Sequence, residues 1–585
     1  MSRGRLARAL IALAGFAVCW AIVAMWTGGF IGFIGSVRIS ARGPRNPTLF
    51  AVLCVVLAWA IGPSGQRMDA LRTDCRWLID RIASRIPRIT LRPPLVAGVA
   101  SLLIVIVGLI ECAGVVGGSD SYGYVSQAHL WTVGAIRQEP ELLRPLADEV
   151  PIALLTPLGY RATPDGHTIA PTYSPGLPLL MSVFERFAGR DSVFWVVPLL
   201  AGMLVWTTYL LGARLYTPDV GALAAVLVAT AAPVLIQLTT APMSDLPAAA
   251  WWTLAFVLAS VDRRLAAAGA GVAAAAAILT RPNLVPVLAI AAAFLGWRLI
   301  VAKRPFRDVV LHLFLFAMFA VPGCFGVAAL YDALWGSVTK SGYGSLEQLF
   351  SVANVWPNLV LYPRSTILLM PVALLAPIAW FVTRDRFTTL VLGSWVAVVV
   401  LVYVSYPAFD AEWTLRFLIP AVPPLLVLAS VVAFSIGGRL AQTHRAEALL
   451  VIAAVAGSGV HTARSHQAFD LEHERRYAAV GRYIARELPE RAVLLAMLHS
   501  GSANYYSGRP TIRYDLLAGT RLDPLVAILK QRGYVPYLVI DSTERAEFEA
   551  RYRGHSRLGA LDWPPLVQMY SPPVAIYSMP PDAGK

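Results

Sequence analysis

The amino-acid sequence predicts a polytopic α-helical membrane protein with about thirteen transmembrane helices, followed by a small C-terminal α/β domain. The first observation is the composition: 57% of the 585 residues are hydrophobic, 14% are charged, and the mean hydropathy is +0.61. Soluble proteins of this length are less apolar. The second is a series of long uncharged runs that ends near residue 464, and the third is the polar character of the chain that follows.

The uncharged runs define the expected spans, because a transmembrane helix needs about 20 mostly apolar residues. The runs cover residues 9–37, 46–66, 93–110, 193–213, 220–238, 246–261, 265–280, 282–297, 309–330, 365–383, 387–406, 417–438 and 448–463. The segment MSRGRLARALIALAG begins with basic residues, as signal peptides do. However, the apolar run that follows is too long for a signal peptide and is not followed by a small-x-small cleavage site. We therefore expect a retained helix and a membrane domain over residues 1–464.

Arginine-rich loops set the expected orientation, since cytoplasmic loops carry an excess of Lys and Arg. The loop 67–92 is the most basic, and its apolar residues recur at the spacing of a helix that lies on the inner leaflet. Basic groups recur in alternate later loops, at Arg263 and Arg264, Lys303 and Arg304, Arg384 and Arg386, and Arg439 and Arg445. With thirteen spans, the N-terminus of a bacterial inner-membrane protein would be cytoplasmic. The loop 111–192 and all residues after 464 would lie on the periplasmic or extracellular side.

The segment 465–585 has the pattern of a soluble α/β domain. RRYAAVGRYIARELPERAVLLAM reads as an amphipathic helix followed by a short strand, and PLVAILKQRGYVPYLVIDSTERAEFEARY reads as helix, strand and helix. Between them, HSGSANYYSGRPTIRYD lacks the glycine spacing of a nucleotide-binding loop. We expect it to form a turn between strands that contacts a glycan through Tyr505, Tyr506 and Arg509.

Several functional classes are not favoured by the residues present. The formal net charge of +14 comes largely from arginines that mark cytoplasmic loops, so nucleic-acid binding is not expected. The five cysteines are scattered without a CxxC pair, which argues against a disulfide framework and a cysteine metal site. His167 and His499 are expected to be polar loop residues rather than metal ligands.

Four ionisable residues close to the outer ends of expected spans are the candidates for chemistry, because charges at membrane depth are costly and usually functional. Asp120 follows the third span in GGSDSYGYVSQAHLW, and Asp245 lies in the short outer turn TTAPMSDLP. Arg281, in LTRPN, joins two uncharged runs that together are too long for one crossing and must form a hairpin. Arg416 begins a late span in YPAFDAEWTLRFLIPAVPPLL.

Two guanidinium groups beside carboxylates suit a phosphate whose lipid tail remains in the bilayer, because a guanidinium fork pairs bidentately with phosphate oxygens. Structural roles compete with this interpretation. Arg281 and Arg416 are also suited to snorkelling at the interface. Asp245, before Leu-Pro, is equally suited to capping a helix, and Asp120 alone would be an ordinary loop acid.

The chain resembles the GT-C membrane glycosyltransferases, and within them the protein O-mannosyltransferase and aminoarabinose-transferase-like group. The resemblance rests on an ordered set of segments: SDSYGYVSQAHLW, APTYSPGLPLLMSVFERFAG, LTRPN and RFLIPAVPPLL. It covers most of residues 94–440, and the C-terminal domain agrees in placement. In that family an acid in the first outer loop is the catalytic base, a role that the resemblance assigns to Asp120.

The chain departs from that pattern in two places. The aminoarabinose transferases have an Asp-Glu pair followed by Arg-Tyr, whereas this chain reads DSYGY, so that only Asp120 and Tyr124 match. That group also has a lysine near the hairpin, where this chain has Arg281. The resemblance therefore implies the reaction type but neither the sugar nor the acceptor.

The expected reaction is an inverting transfer of a sugar from a polyprenyl-phosphate donor to a hydroxyl of a glycan, lipid or protein at the outer membrane face. Asp120 would act as general base, and Arg281 and Arg416 would stabilise the leaving lipid phosphate. No cofactor is certain; a divalent ion could share the phosphate's charge, but the sequence shows no ligand cluster. The further candidates for the substrate cavity are Tyr124, Tyr173, Asp245, Asp410, Glu412 and His167.

Three other classes remain open at this stage. A secondary transporter has many spans and charges within the membrane, although these lie nearer the midplane and need no long outer loop. A polysaccharide polymerase or ligase also acts on lipid-linked glycans outside the cell. A structural or sensory membrane protein is the third alternative.

Overall fold

The structure is a computed structural model of the chain. It describes residues 3–34, 37–41, 43–61, 66–83, 92–146, 149–240, 242–407, 415–443, 445–570 and 573–580. Two of the candidate acids, Asp410 and Glu412, lie outside the described residues.

The N-terminal segment differs from the single long span expected over residues 9–37. Helix α1 (Arg3–Thr27) is followed by an antiparallel pair of strands, β1 (Phe30–Ile34) and β2 (Val37–Ala41). The helix ends where Gly28 and Gly29 adopt φ angles of 78° and 83°, a conformation that only glycine accepts readily. Two further helices follow in this segment: α2 (Arg45–Ile61) and α3 (Arg67–Ala83).

Helices dominate the chain as far as residue 465, as the sequence predicts. In chain order they are α4 (Pro93–Glu111), α5 (Ser119–Thr132), α6 (Leu143–Leu146), α7 (Gly176–Ala188), α8 (Val196–Leu215), α9 (Pro218–Thr230), α10 (Ala232–Thr240), α11 (Asp245–Ala259), α12 (Arg264–Thr280), α13 (Val287–Val301), α14 (Phe306–Trp335), α15 (Leu346–Leu349), α16 (Val355–Leu369), α17 (Ala379–Val382), α18 (Arg386–Val404), α19 (Val422–Thr443) and α20 (Arg445–Ser465). Short 3-10 helices lie at Ile152–Leu155, Arg190–Trp195, Pro282–Leu284, Val352–Asn354, Pro371–Ile378 and Leu415–Ala421. The loop 111–192 adds a small antiparallel pair, β3 (Tyr160–Ala162) and β4 (Ile169–Pro171).

The lengths and apolar composition of the helices agree with a multi-pass membrane protein. By length and composition, six helices of the described chain can cross a membrane, or eight if each of two bent pairs is one span, and five shorter apolar helices accompany them. The expected helix over 365–383 is wrong, because the chain bends by 110° between α16 and the segment Pro371–Val382. Proline removes a backbone donor and breaks a helix, and Pro371 stands at the bend. The count of thirteen spans stays a prediction.

The predicted hairpin around Arg281 is confirmed by ion pairs at its far end. Arg304, after α13, pairs with Asp262, which precedes α12, at 2.6 Å. Arg264 at the start of α12 pairs with Asp308 at 3.0 Å. The chain therefore returns to the side from which α12 began, and Arg281 lies at the opposite end, where the candidate site is found.

The C-terminal segment folds around a five-stranded mixed sheet. Its helices are α21 (Glu472–Glu487), α22 (Ser500–Ser507), α23 (Leu522–Gln531) and α24 (Ser542–Tyr552). Its strands β5 (Ala492–Ala496), β6 (Thr511–Ile512), β7 (Val535–Asp541), β8 (Val567–Met569) and β9 (Val574–Ser578) follow the order β6-β5-β7-β9-β8. Strands β6, β5 and β7 are parallel to one another, β9 is antiparallel to β7, and β8 is antiparallel to β9. The helix–strand pattern read from the sequence is confirmed, whereas the domain boundary at residue 464 stays a prediction.

The sheet domain packs on the loop 111–192 of the helical domain. The Val116 amide donates to the Tyr506 hydroxyl at 2.7 Å, and the Leu158 amide donates to Ser500 Oγ at 2.9 Å. The expected turn over HSGSANYYSGRPTIRYD is therefore wrong in part, since its first half is helix α22, which docks on the loop. Arg509 is used inside the domain, where it donates to the carbonyl of Pro489 at 2.9 Å.

Candidate functional site

A single cavity collects most of the residues that the sequence singles out. Its volume is about 1010 Å³, and it lies where the ends of α11, α12 and α14 meet the loop 111–192 and the sheet domain. The lining includes Asp120, Tyr124, Tyr173, Asp245, Arg281 and Arg416. These residues come from five separate segments of the chain, so only the tertiary fold brings them together.

Asp120 is the second residue of α5, and its carboxylate is held from two sides. The Tyr173 hydroxyl donates to Oδ1 at 2.9 Å, and Arg416 Nη1 donates to Oδ2 at 3.0 Å. A carboxylate in the first turn of a helix is also favoured by the helix dipole. The side chain is 27% exposed and therefore remains open to the cavity.

Arg281 and Asp245 form a buried ion pair in the wall of the cavity. Arg281 Nη2 lies 2.5 Å from Asp245 Oδ1, and the side chains are 13% and 1% exposed. Arg281 also donates to Ser244 Oγ at 3.1 Å and to the Tyr403 hydroxyl at 2.8 Å. Pro282 explains its placement, because the residue before a proline is pushed out of the helical conformation, and here it turns into the cavity.

This pair decides between the structural alternatives that the sequence left open. Arg281 points into the protein and does not snorkel to the surface. Asp245 is the first helical residue of α11; the N-cap is Ser244, and no side-chain capping bond is made there. Each of the two buried charges needs the other as its counter-charge, because either charge alone would be costly at this depth.

Arg416 completes the charged group from the 3-10 helix Leu415–Ala421. Its Nη1 contacts Met243 Sδ at 3.1 Å as well as Asp120, and its side chain is 19% exposed. The Phe417 ring lies against both guanidinium groups, with its centroid 4.9 Å from the Cζ of Arg416 and 5.4 Å from that of Arg281. Cation–π contacts of this kind stabilise both charges near one another.

Tyrosines connect the two ion pairs and line the space between them. The Tyr124 hydroxyl donates to Ser244 Oγ at 2.8 Å, which ties the Asp120 helix to the Arg281 network. The rings of Tyr124 and Tyr173 are 4.5 Å apart, and Tyr343 meets Tyr173 edge-on at 5.7 Å. Burial, reinforced by the Asp120 carboxylate, raises the pKa of Tyr173 well above its usual range. Tyr173 is therefore a hydroxyl donor at any physiological pH.

Sequence reasoning missed several lining residues. Ser244 and Tyr343 line the cavity, as do Arg161 from β3 and Arg513 from the sheet domain. Tyr403 is buried behind the lining, where its hydroxyl accepts from Arg281. The glycine-flanked SGYGS around Tyr343 was the one local hint of a constrained loop. The others have no local pattern, because their role depends on distant contacts.

Both histidines considered from the sequence lie away from the cavity. His167 does not line it; its amide donates at 2.9 Å to Asp165, whose carboxylate holds the exposed turn that links β3 and β4. The expectation of a cavity role for His167 is therefore wrong. His499 is fully buried in the sheet domain beside Tyr477, rather than in a polar loop.

The described residues do not suit a divalent metal ion. Within the part of the chain that the structure describes, no group of three His, Cys, Asp or Glu side chains is placed to hold one. Among the described residues that line the cavity, the carboxylates of Asp120 and Asp245 each face a guanidinium, and such cations repel a metal ion.

Comparison with known proteins identifies the fold. No protein-family model and no curated protein sequence matches the chain. Among solved structures, it is similar to ArnT from Cupriavidus metallidurans in the apo state, with a TM-score of 0.51 and 12% identity over 86% of this chain and 98% of that one. This chain has the fold of the GT-C membrane glycosyltransferases.

Two other GT-C structures show weaker likeness. ArnT bound to undecaprenyl phosphate matches with a TM-score of 0.48 and 14% identity, over 83% of this chain and 98% of that one. The oligosaccharyltransferase AglB from Archaeoglobus fulgidus, in complex with an inhibitory peptide and a dolichol phosphate, matches with a TM-score of 0.48 and 12% identity, over 79% and 71%. The match to apo ArnT, with its TM-score of 0.51, is the one that bears on the fold, and it agrees with the fold that the sequence segments suggest.

Proposed function

We propose that the protein transfers a sugar from a polyprenyl-phosphate donor to an acceptor hydroxyl at the outer face of the membrane, with inversion at the anomeric carbon. The observation that carries this proposal is the convergence of Asp120, Arg281 and Arg416 on one cavity of about 1010 Å³. A base and two phosphate-binding cations in one cavity are the groups that such a transfer needs.

Asp120 is proposed as the general base. As the acceptor oxygen attacks the anomeric carbon, its O–H bond breaks and the proton passes to the Asp120 carboxylate. The bond from the anomeric carbon to the phosphate oxygen breaks on the opposite face, and its electron pair leaves with the phosphate. The Tyr173 hydroxyl holds Oδ1 at 2.9 Å and thereby fixes the direction in which the carboxylate faces.

Arg416 is proposed to pair with the base before transfer and to stabilise the leaving phosphate during transfer. Before transfer, its charge is balanced by Asp120 at 3.0 Å. When Asp120 takes the proton and becomes neutral, the guanidinium loses its counter-charge at the moment when the phosphate gains negative charge. Electrostatic stabilisation that grows in the transition state accelerates the reaction, unlike binding that is equal in both states.

Arg281 is proposed to bind the donor phosphate and to fix its position in the cavity. Its pairing with Asp245 and its hydrogen bonds to Ser244 and Tyr403 fix the guanidinium, so little reorganisation is needed on binding. Apolar side chains, among them Val327, Leu346 and Leu349, line the same cavity and suit the first isoprene units of a lipid carrier.

Mass spectrometry of envelope glycans and polyprenyl-phosphate sugars in a deletion strain tests the proposal. We expect one glycan to lack a sugar and the corresponding lipid donor to accumulate. Complementation with wild type or with Asp191→Asn, which changes an exposed acid of the same outer loop, restores the glycan, whereas Asp120→Asn at equal protein level does not. An unchanged glycan profile in the deletion strain, or full restoration by Asp120→Asn, contradicts the proposal.

A further inference from the structure

Helix α21 of the sheet domain begins at the level where the membrane-spanning helices end. Its first residue, Glu472, comes three residues after Phe469, which packs with Ala468 against the core of the helical domain. The Glu474 carboxylate lies against Gly117, six residues past the end of α4. The first turn of α21 is therefore held close to the membrane boundary.

The middle of α21 stays close to the same boundary. Gly481 packs against Tyr506, and the guanidinium of Arg482 lies over the Tyr506 ring, with its Cζ 5.6 Å from the ring centroid. The Tyr506 hydroxyl accepts from the amide of Val116 at 2.7 Å, and Val116 is five residues past the end of α4. The helix is thus tied to one short segment of the helical domain at both places.

Three arginines form a stripe on the face of α21 that turns away from the sheet domain. Arg475, Arg482 and Arg486 are exposed and follow each other at intervals of seven and four residues, the spacing of one helix face. The opposite face is buried and comprises Arg476, Tyr477, Val480, Gly481 and Ile484. We call the three exposed residues the arginine stripe.

The charges of the arginine stripe are not balanced by neighbouring acids. The sequence from residue 475 to residue 486, RRYAAVGRYIAR, contains no Asp or Glu. Arg475 and Arg482 form no ion pair with any residue that the structure describes. Their guanidinium groups are therefore available to an anionic partner.

The position of the arginine stripe indicates what that partner is. The last two turns of α4 present apolar side chains to the lipid, since Ile106 and Ile110 are 41% and 67% exposed. Lipid phosphates lie just beyond the apolar core of the bilayer, at the level where α4 ends, and guanidinium groups pair bidentately with phosphate oxygens. The positive-inside rule does not explain these arginines, because the basic loops that it concerns lie at the opposite ends of the spans.

We propose that the arginine stripe binds the phosphate groups of anionic phospholipids in the leaflet on the side of the sheet domain. The bound lipids hold α21 against the membrane surface and thereby keep the sheet domain over the cavity. A lipid with a net negative charge is favoured over phosphatidylcholine, whose choline group cancels the charge of its phosphate. This inference does not depend on the proposed transfer reaction.

Hydrogen exchange of the purified protein in nanodiscs tests the proposal. The bilayers contain phosphatidylcholine alone or equal parts of phosphatidylcholine and phosphatidylglycerol. A lipid that binds the folded helix slows its opening. We expect phosphatidylglycerol to slow exchange in residues 472–487 of wild type about fivefold or more, since each arginine near an anionic surface contributes roughly a factor of five. Exchange in β7 stays the same in both bilayers.

Two double variants and a control identify the cause of that slowing. Arg475→Gln with Arg482→Gln is expected to abolish it, whereas Arg475→Lys with Arg482→Lys keeps the charges and retains most of it. The control, Arg551→Gln with Arg553→Gln, removes two exposed arginines of the sheet domain that pair with Glu547 and Glu549, and it behaves as wild type.

Three results would overturn the proposal. The first is equal exchange of wild type in the two bilayers. The second is slowing by phosphatidylglycerol that persists in the double glutamine variant. The third is equal slowing by inorganic phosphate in bilayers of phosphatidylcholine alone, which would show that the arginine stripe binds free phosphate rather than a lipid.

Discussion

Breaking the buried Arg281–Asp245 pair has a large predicted cost. In Asp245→Asn, the guanidinium of Arg281 loses a carboxylate at 2.5 Å while both side chains stay almost fully buried, at 13% and 1% exposure. Removal of one partner of a buried ion pair typically costs about 3–5 kcal/mol, because the remaining charge has no compensation. In the variant, Arg281 keeps its hydrogen bonds to Ser244 and Tyr403, which still stabilise the guanidinium in part. The expected cost therefore lies at the lower end of that range.

The measurement is unfolding of the purified protein in detergent, with intrinsic fluorescence as the readout. Asp245→Asn is expected to lower the apparent Tm strongly, and the double variant with Arg281→Met to recover most of the loss, since it removes both charges together. Arg264→Gln breaks the exposed pair with Asp308, at 61% and 30% exposure, and serves as the control with an expected cost of about 0–1 kcal/mol. If Asp245→Asn is no more destabilising than this control, the pair is not buried as described.

Further predictions concern the Asp120 carboxylate, the domain contact and pH. Tyr173→Phe removes the hydrogen bond to Asp120 and is expected to lower kcat roughly five- to tenfold, with the donor KM unchanged in steady-state assays; an unaltered kcat would contradict it. Tyr506→Phe removes the bond to the Val116 amide and is expected to increase hydrogen exchange at residues 115–118, measured by mass spectrometry, while exchange in β7 stays constant. Burial lowers the pKa of His499 even though Asp541 favours its charged form, so the unfolded chain binds this proton more readily than the folded domain. Stability from this residue is therefore present above the unfolded pKa of about 6.5 and is lost as pH falls below it. A Tm series from pH 7.5 to 5.5 should show a shallower decline in His499→Asn than in wild type.

Composition and periodicity predict which segments are helical better than they predict where those helices end or the chain turns. The runs at 93–110 and 387–406 correspond closely to α4 and α18. The run at 9–37 failed because hydropathy does not register the two glycines that end α1, and the run at 365–383 failed because it does not register the bend before Pro371. Hydropathy records how apolar a segment is, while backbone geometry decides where the segment turns.

The candidate site was predictable in its members but not in its pairing. The sequence indicates Asp120, Asp245, Arg281 and Arg416 because ionisable groups near membrane depth are rare. No local pattern assigns Asp245 to Arg281 or Asp120 to Arg416, since the partners lie 36 positions apart in one case and 296 positions apart in the other.

The central claim is that Asp120 performs the chemistry while the two arginines hold the donor. Purified Asp120→Asn, in lipid nanodiscs, should bind undecaprenyl phosphate at least as tightly as wild type, because the change leaves Arg416 without its counter-charge. Transfer from the donor lipid should nevertheless fall by at least about a hundredfold in the variant. Arg281→Met should weaken that binding. Transfer by Asp120→Asn at a rate close to that of wild type would contradict the account.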